Sequence, residues 1–427
     1  MRTDALTPLA GRRLLVGVSG SIAAVKTPLL VSALVKAGAE VRCVVTPSAA
    51  QLVSPVALAS LSRHRCYLEA DGWDRCCSRP LHIELAEWAE LVVLAPLSAS
   101  SLSRWSQGSA DGLLASVLLA CECPVLAAAA MNTAMWHHPA VRDNWKRVQG
   151  FPGVVPLDPT AGLLACDRQG DGRMADPLLV ELAASSLFSR GTDAAEAERD
   201  WQGRRLLVTA GPTVEPLDAA RSLTNRSSGA MGVLLAQAAQ LRGAQVDLVH
   251  GPLQVPPAWL EALHCHPIHT AAELEAALQH LQPEADAVAM AAAVADLRRV
   301  DPAPALKQPK AQLMQRLAHG WQLVPDLLTG VSARRRQGQV VLGFAALTGD
   351  DATLRRLGED KRRQKGCDLL LANPIDRAGQ GFSQPRNGGW LLAESGAVAL
   401  PVTSKLHLAH QLLDALQGLW RPVPTSC

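Results

Sequence analysis

Three side chains in the first half of the 427-residue chain, and several in the second, combine a reactive type with a setting that suits chemistry. His82 stands in Leu81-His82-Ile83-Glu84-Leu85. Its near-neutral imidazole suits proton movement, although a lone histidine before a helix also serves as a solvated or capping residue. Asn132, within Ala129–Trp136 (AAMNTAMW), offers an amide that donates hydrogen bonds without carrying a charge. Cys166 opens a run rich in Gly and Asp, Ala165–Met174 (ACDRQGDGRM). Such neighbours argue against a buried core thiol, and Gly170, Gly172 and Arg173 suggest a mobile loop that closes on a substrate.

In the second half, Ser227-Ser228-Gly229 precedes a helical pattern and supplies cap hydroxyls and free N–H groups for an anion. A polar cap without a ligand explains the same residues equally well. Lys361 and Lys365, four apart, share one helical face and meet a polyphosphate together; Lys361-Arg362-Arg363 alone is also an ordinary solvated charge run. Val18-Ser19-Gly20-Ser21 lets backbone approach a phosphate at a helix start, as does many a plain strand-to-helix turn. Neither half carries GxGxxG with an acidic residue on the next strand, which disfavours a dinucleotide-dependent dehydrogenase.

The elements that must hold these residues repeat. Gly11-Arg12-Arg13-Leu14-Leu15-Val16 returns as Gly203-Arg204-Arg205-Leu206-Leu207-Val208. A helical pattern follows each, Ile22 to Lys36 and Ala230 to Leu241, closed by Gly38 and Gly243, then the strands Val41–Val45 and Val246–Val249. Further strands are predicted at Leu91–Ala95, Val125–Ala129, Ala287–Ala292, Val340–Phe344 and Leu369–Leu371. The pattern predicts an α/β chain of two doubly wound, Rossmann-like parallel-sheet domains: residues 1–188, a polar linker at 189–200, and residues 201–427. Asp301 to Gln312, rich in Pro, Ala and Lys, is expected to be a loop or flap.

Composition narrows the function. Lys plus Arg number 41 against 39 Asp plus Glu, so there is no basic field for nucleic acid and no polybasic tether for a membrane. The N-terminus lacks an apolar signal core, and a cytoplasmic protein is expected. Ten cysteines include no CxxC pair. Cys76-Cys77 and Cys121-x-Cys123 lack zinc-finger spacing, and the thiols are expected to be reduced.

Four segments in order, GVSGSIAAVK (Gly17–Lys26), LHIELAEWAELVVLAP (Leu81–Pro96), AAMNTAMW and ACDRQGDGRM, together resemble the FMN-dependent cysteine decarboxylases, specifically the phosphopantothenoylcysteine decarboxylase family, over Gly11 to Ser185. The resemblance implies oxidation of the cysteinyl side of the substrate to a thioaldehyde, loss of carbon dioxide, and reduction of the resulting enethiol, with FMN supplying the redox chemistry. It assigns His82 to the oxidative half-reaction, Asn132 to the substrate carboxylate, and Cys166 to proton donation from a substrate flap. It places FMN near Gly20, Ser21, Thr46, Ser48, Ser98 and Ser101. The chain departs from the family pattern at Ala129 (Pro), Asp167 (Gly), Ser100 and Gly112 (both Asn). None of these removes a chemical group assigned above.

Thr209 to Gly232 (TAGPTVEPLDAARSLTNRSSGAMG) and Ala291–Arg298 (AAAVADLR) resemble phosphopantothenate–cysteine ligase, a likeness that runs from Gly203 to about Leu416. It implies that CTP activates 4′-phosphopantothenate as an acyl-cytidylate, which the amine of L-cysteine attacks. Asn225 is implied at the acyl-cytidylate stage and Arg221 beside the reacting groups. The nucleotide is expected among Ala291, Ala292, Asp296, Lys307, Pro325, Asp326, Leu327, Leu328, Phe344, Lys361 and Lys365, with Mg2+ on the triphosphate. Ala230, Leu297, Leu347 and Leu306 replace Lys, Tyr, Glu and a flap Lys of that pattern, which leaves open an impaired ligase beside a working decarboxylase. A non-catalytic FMN-binding regulatory protein is the other alternative, and His82, Asn132 and Cys166 together weigh against it. The resemblance further implies a homo-oligomer with trimeric decarboxylase contacts and dimeric ligase contacts.

Overall fold

Short β-branched and leucine-rich runs alternate with helices along the whole chain, and in the computed structural model the runs become parallel strands. Residues 7–73, 79–163, 169–190 and 199–420 are described. Contacts divide the chain into two units, Met1–Arg199 and Asp200–Cys427.

The first unit is built on β1 (Arg13–Val18), β2 (Glu40–Val45), β3 (Cys66–Leu68), β4 (Leu91–Leu97), β5 (Val125–Ala129) and β6 (Val154–Leu157). All pair in parallel, in the order β3-β2-β1-β4-β5-β6. Every residue of β4 and β5 is buried, as a parallel sheet covered on both faces requires. Leu15, Val92, Leu94, Trp105 and Trp145 anchor the core on one of those faces. The strand order reverses between β1 and β4, which opens a crevice at their C-terminal ends.

Two local expectations change. The first helical pattern splits into a 3-10 turn, Ile22–Lys26, and an α-helix, Thr27–Lys36. Pro28 lies in the first turn of that helix, where its missing N–H costs nothing. The stretch around Gly170 and Gly172 is not a free loop: β7 (Thr160–Leu163) and β8 (Gln169–Arg173) form an antiparallel pair. The N–H of Met131 also donates to the Gly172 carbonyl at 3.0 Å, fastening β8 to the end of β5.

The second unit contains β9 (Arg205–Ala210), β10 (Val214–Asp218), β11 (Arg221–Thr224), β12 (Gln245–His250), β13 (His264–Pro267), β14 (Ala287–Met290), β15 (Leu297–Arg299), β16 (Trp321–Leu323), β17 (Val340–Leu347), β18 (Leu369–Pro374), β19 (Arg386–Ala393) and β20 (Gly396–Ser404). Its main sheet runs β13-β12-β9-β14-β17-β18-β19-β20. The first six strands are parallel, whereas β18–β19 and β19–β20 are antiparallel. Val288, Val341, Leu370 and Leu392 lie in its core. The expected flap is irregular only to Pro309; Lys310–Ala318 is an α-helix, because Pro is tolerated just before a first turn although not inside one.

At the N-terminal edge of each sheet one bonding pattern recurs. Arg13 N–H donates to Glu90 Oε2 at 2.9 Å, and Glu90 N–H donates to the Arg13 carbonyl at 2.9 Å. Arg205 N–H donates to Asp286 Oδ2 at 2.9 Å, and Asp286 N–H donates to the Arg205 carbonyl at 2.8 Å. Among the described residues no helix is long and apolar enough to cross a membrane.

Candidate functional site

In the first unit the crevice is a real cavity of about 520 Å³, within the size range of small-molecule sites. Gly20 and Ser21 reach it from the end of β1, Ser98 and Ser100 from the end of β4, and Met131 and Asn132 from the end of β5. Gly172, Arg173 and Met174 close it from β8.

Hydrogen bonds hold these loops at one height. Ser19 Oγ donates to the Pro96 carbonyl at 2.8 Å and accepts the Ser98 N–H at 2.7 Å, joining β1 to β4. Ser98 caps the helix Ala99–Gln107 by accepting from Ser101 N–H at 3.4 Å. A side chain at Gly20 would put its Cβ 2.5 Å from that of Ser48, so only glycine lets these two segments touch. Asn132 Oδ1 accepts the Ala134 N–H at 2.9 Å. That bond orients the amide so that its NH2 is the donor end.

Four of the residues expected around a flavin or substrate therefore line one cavity: Gly20, Ser21, Ser98 and Asn132. Ser48 backs Gly20, and Thr46 caps the short helix Pro47–Ala50 beside it, accepting Ala49 N–H at 3.3 Å. Ser101 is one step behind Ser98. His82 is half-buried and sits inside the helix Leu81–Trp88 rather than before it, and it does not line the cavity. Cys166, with Cys76 and Cys77, lies outside the described residues. Lys26, Met131 and Met135 line the cavity and were given no role from sequence. Lys26 ends the motif that begins at Gly17, so its place there was the available signal.

In the second unit the strand order reverses between β9 and β14, and the loops after them are laced together. Ala293 N–H donates to the Gly211 carbonyl at 2.9 Å and Thr213 N–H to the Ala293 carbonyl at 3.1 Å. Thr209 Oγ1 accepts the Ala292 N–H at 3.0 Å, and Thr213 Oγ1 accepts the Ala295 N–H at 2.9 Å. Asn225, exposed just past β11, donates its amide to the carbonyls of Ala293 and Val294 at 3.1 and 3.0 Å. Two carbonyl acceptors settle which end of that amide is nitrogen. Asn225, Ala291 and Ala292 are thus brought to one place.

Arg221 is engaged elsewhere. Its guanidinium pairs with Asp218 at 2.7 Å and donates to the Gln308 carbonyl at 2.6 Å. The N–H groups of Ala220 and Gln308 (2.8 and 3.1 Å) together with Arg221 hold the Asp218 carboxyl below its ordinary value. The irregular flap segment is thereby tied to β10 and β11. Lys307, next to that tie, is exposed.

Asp326 caps the helix Leu327–Ala333 by accepting Thr329 N–H at 3.1 Å, and it also pairs with Lys365. Burial pushes its carboxyl up, but Lys365 and Thr329 pull it further the other way, leaving it below its ordinary value. Lys361 lies one turn back on the helix Asp351–Lys365, half-buried. Pro325 is exposed just before Asp326, and Leu327 and Leu328 open the helix with their side chains buried. Asp296 is exposed and accepts Val324 N–H on its backbone carbonyl at 2.9 Å. Phe344 is half-buried on β17.

The departures fall on different surfaces. Leu347 is buried at the end of β17, Leu297 is partly exposed on β15, Leu306 is exposed in the flap, and Ala230 opens the helix behind Gly229. Gly229 has φ +77° and faces Leu253 and Gly211 so closely that no side chain fits. At that helix start Ser227 Oγ accepts the Gly229 N–H at 3.2 Å and Ser228 Oγ the Ala230 N–H at 3.4 Å, and position 230 lacks the expected cation.

Comparison with known proteins follows the same division. Residues 3–182 match the family described as Flavoprotein, and residues 201–419 match the DNA/pantothenate metabolism flavoprotein C-terminal domain. The chain is similar to the coenzyme A biosynthesis bifunctional protein CoaBC of Escherichia coli K12, 36% identical over 96% of this chain and 97% of that one. The protein of the same name from Mycobacterium tuberculosis H37Rv is 38% identical, over 95% of this chain and 96% of the relative. That of Bacillus subtilis 168 is 34% identical, over 96% and 98%. Among solved structures, a PPC decarboxylase mutant complexed with pantothenoylaminoethenethiol covers 41% of this chain and 96% of its own, with 32% identity and a TM-score of 0.37. The C-terminal domain of a CoaBC covers 52% and 98%, with 27% identity and a TM-score of 0.42.

Proposed function

We propose, from the premise that the chain belongs to the CoaBC family of bifunctional coenzyme A biosynthesis proteins, that it runs two consecutive reactions on one substrate. The second unit joins L-cysteine to 4′-phosphopantothenate at the expense of CTP, through an acyl-cytidylate. The first unit decarboxylates the resulting 4′-phosphopantothenoyl-L-cysteine to 4′-phosphopantetheine with FMN.

The observation that carries the reading is the cavity at the β1/β4 reversal, with Asn132 on its wall. Its size, its serines and the glycine contact at Gly20 suit a flavin mononucleotide: Ser21, Ser98 and nearby N–H groups offer donors, and Lys26 offers a cation for a phosphate. FMN, when bound, supplies hydride acceptance and return. The chain does the rest. Asn132 holds the substrate carboxylate through amide N–H donors, keeping it oriented without a countercharge that would stabilise it against loss. Cys166 is assigned the proton for the reduced product, and His82 a proton in the oxidative half; both assignments rest on their motifs.

In the second unit, the helix start behind Gly229 receives an anion, and Lys361 and Lys365 face the triphosphate with Mg2+. Lys365 would then exchange its Asp326 partner for phosphate. Asn225 and Arg221 are assigned by their motif to the carboxylate being activated, and Arg221 would leave its Asp218 and Gln308 partners to reach it. A cytoplasmic homo-oligomer with trimeric and dimeric contacts completes the reading.

The test supplies purified protein with 4′-phosphopantothenate, cysteine, CTP and magnesium, and follows pyrophosphate and carbon dioxide. Release of both is expected. Carbon dioxide only from added phosphopantothenoylcysteine would replace the reading with a working decarboxylase beside a ligase impaired by the cations missing at Ala230 and Leu306. Bound FMN with neither product would sink the catalytic reading altogether.

A further inference from the structure

The main sheet of the second unit ends in β13, and this edge carries a cluster that none of the chemistry above uses. His264 and His266 are two residues apart, so both side chains leave the strand on one face, with Cys265 directed to the other. Asp247 of β12 stands directly across, in register with His264. Its Oδ1 accepts from His264 Nδ1 at 2.7 Å and from His266 Nε2 at 2.9 Å, and the two rings stand 4.4 Å apart at 63°. Two imidazole nitrogens and a carboxylate oxygen, all within 4.8 Å of one another, thus converge from two strands.

Asp247 is largely covered, with only 14% of its side chain exposed, whereas His264 is 75% exposed and leaves a path for an ion from solvent. Burial pushes the Asp247 carboxyl up, but the two histidines outweigh it and leave it below its ordinary value. Arg205 is the one opposing charge beside it among the described residues, 3.8 Å from the second carboxylate oxygen and bonded on its other side to Glu284 at 3.0 Å.

We propose that Asp247, His264 and His266 form a binding site for one divalent transition-metal ion of the zinc, cobalt or nickel class. Two nitrogens and one oxygen favour those ions over magnesium or calcium, which prefer all-oxygen shells. Three protein ligands leave a fourth position for water, as in open zinc sites. On binding, each ring moves its proton to the nitrogen facing away from Asp247 and gives the freed lone pair to the ion. The ion then cross-links edge strand β13 to β12, away from the strand ends that carry the ligase residues, so it staples the sheet and takes no part in the ligase reaction.

The test uses the full-length, FMN-loaded protein after treatment with a chelator, titrated with Zn2+ by calorimetry and with Co2+ by difference absorption beyond the flavin band. One equivalent is expected to give tetrahedral cobalt bands without thiolate charge transfer, which separates this site from any cysteine site. His264→Ala, at an exposed position that leaves the fold intact, should weaken that equivalent by more than about tenfold; Arg205→Gln should tighten it. Pyrophosphate release should be the same in wild type and His264→Ala. An unchanged isotherm in His264→Ala, or cobalt bands that carry only thiolate charge transfer, would overturn the proposal.

Discussion

Replacing Gly172 by Ala is the sharpest probe of how the decarboxylase cavity is held. A Cβ at 172 would stand 2.0 Å from the Met131 carbonyl oxygen and 3.0 Å from the Thr133 nitrogen. Carbon and carbonyl oxygen relax near 3.3 Å, so β8 and the Asn132 loop must part by about 1.3 Å. The 3.0 Å bond from Met131 N–H to the Gly172 carbonyl, which fastens them, is then stretched or lost, at a cost of about 1 kcal/mol. Asn132 lies between the two displaced residues, and a misplacement near 1 Å costs on the order of 100-fold in rate. The assay is carbon dioxide release from supplied phosphopantothenoylcysteine, with pyrophosphate release from the second unit as the internal control. Carbon dioxide should fall by about two orders of magnitude while pyrophosphate is unchanged. Decarboxylation at the wild-type rate would refute the idea that the backbone of β8 sets the position of Asn132.

Other perturbations report on the second unit. Lys405 is buried, donating to the Gly381 carbonyl at 3.2 Å, and burial pulls its ammonium down from 10.5 to about 8. The unfolded chain therefore holds this proton more tightly, so stability rises between pH 8 and 10.5, by about 3 kcal/mol at most. Urea midpoints of Lys405→Met should exceed the wild type at pH 7 and converge toward it by pH 10; a gap independent of pH contradicts this. Asn225→Ala removes the donors to Ala293 and Val294, and should abolish pyrophosphate release while sparing carbon dioxide release from added substrate. Survival of both activities would remove Asn225 from the reaction. Ala230→Lys restores a cation at the helix start behind Gly229, at a few tenths of a kcal/mol against the helix dipole, and should raise pyrophosphate release severalfold at low phosphopantothenate. No change would make the alanine neutral.

Much of the frame was legible because it is written in local patterns. The repeated Gly-Arg-Arg-Leu-Leu-Val announces β1 and β9, and Gly/Ser-rich turns mark their ends. What escaped depends on partners distant in sequence. The β19–β20 hairpin extends a parallel sheet in the antiparallel sense, which no apolar run reveals on its own. β8 reads as loop because Gln169–Arg173 holds two glycines and no apolar residue; its pairing comes from β7 and its anchor from Met131. The cluster of Asp247, His264 and His266 spans a connection that holds one 3-10 turn, Pro257–Leu260, and exists only through the β12–β13 register. His82 shows the reverse: its motif is plain, and within one chain the fold keeps it off the cavity.

The paired backbone and carboxylate bonds at the foot of each sheet act as a zero mark from which distance is measured. From Arg205 to Pro212 and from Asp286 to Ala293 the chain advances by the same count of residues, and those endpoints bridge. From Arg13 to Gly20 and from Glu90 to Leu97 the count is again equal, and Ser19 meets Pro96 one residue before each end. Each site therefore rests on two rulers of matched length set on a common base. Removing one residue from either ruler lowers one side of the site by about 3.3 Å and turns its outgoing side chains to the opposite face. Insertions in the helices and loops between rulers leave both readings unchanged. Tolerance to changes of length in this protein should thus divide sharply at the clasp and the strand tips, whatever residues fill the space between.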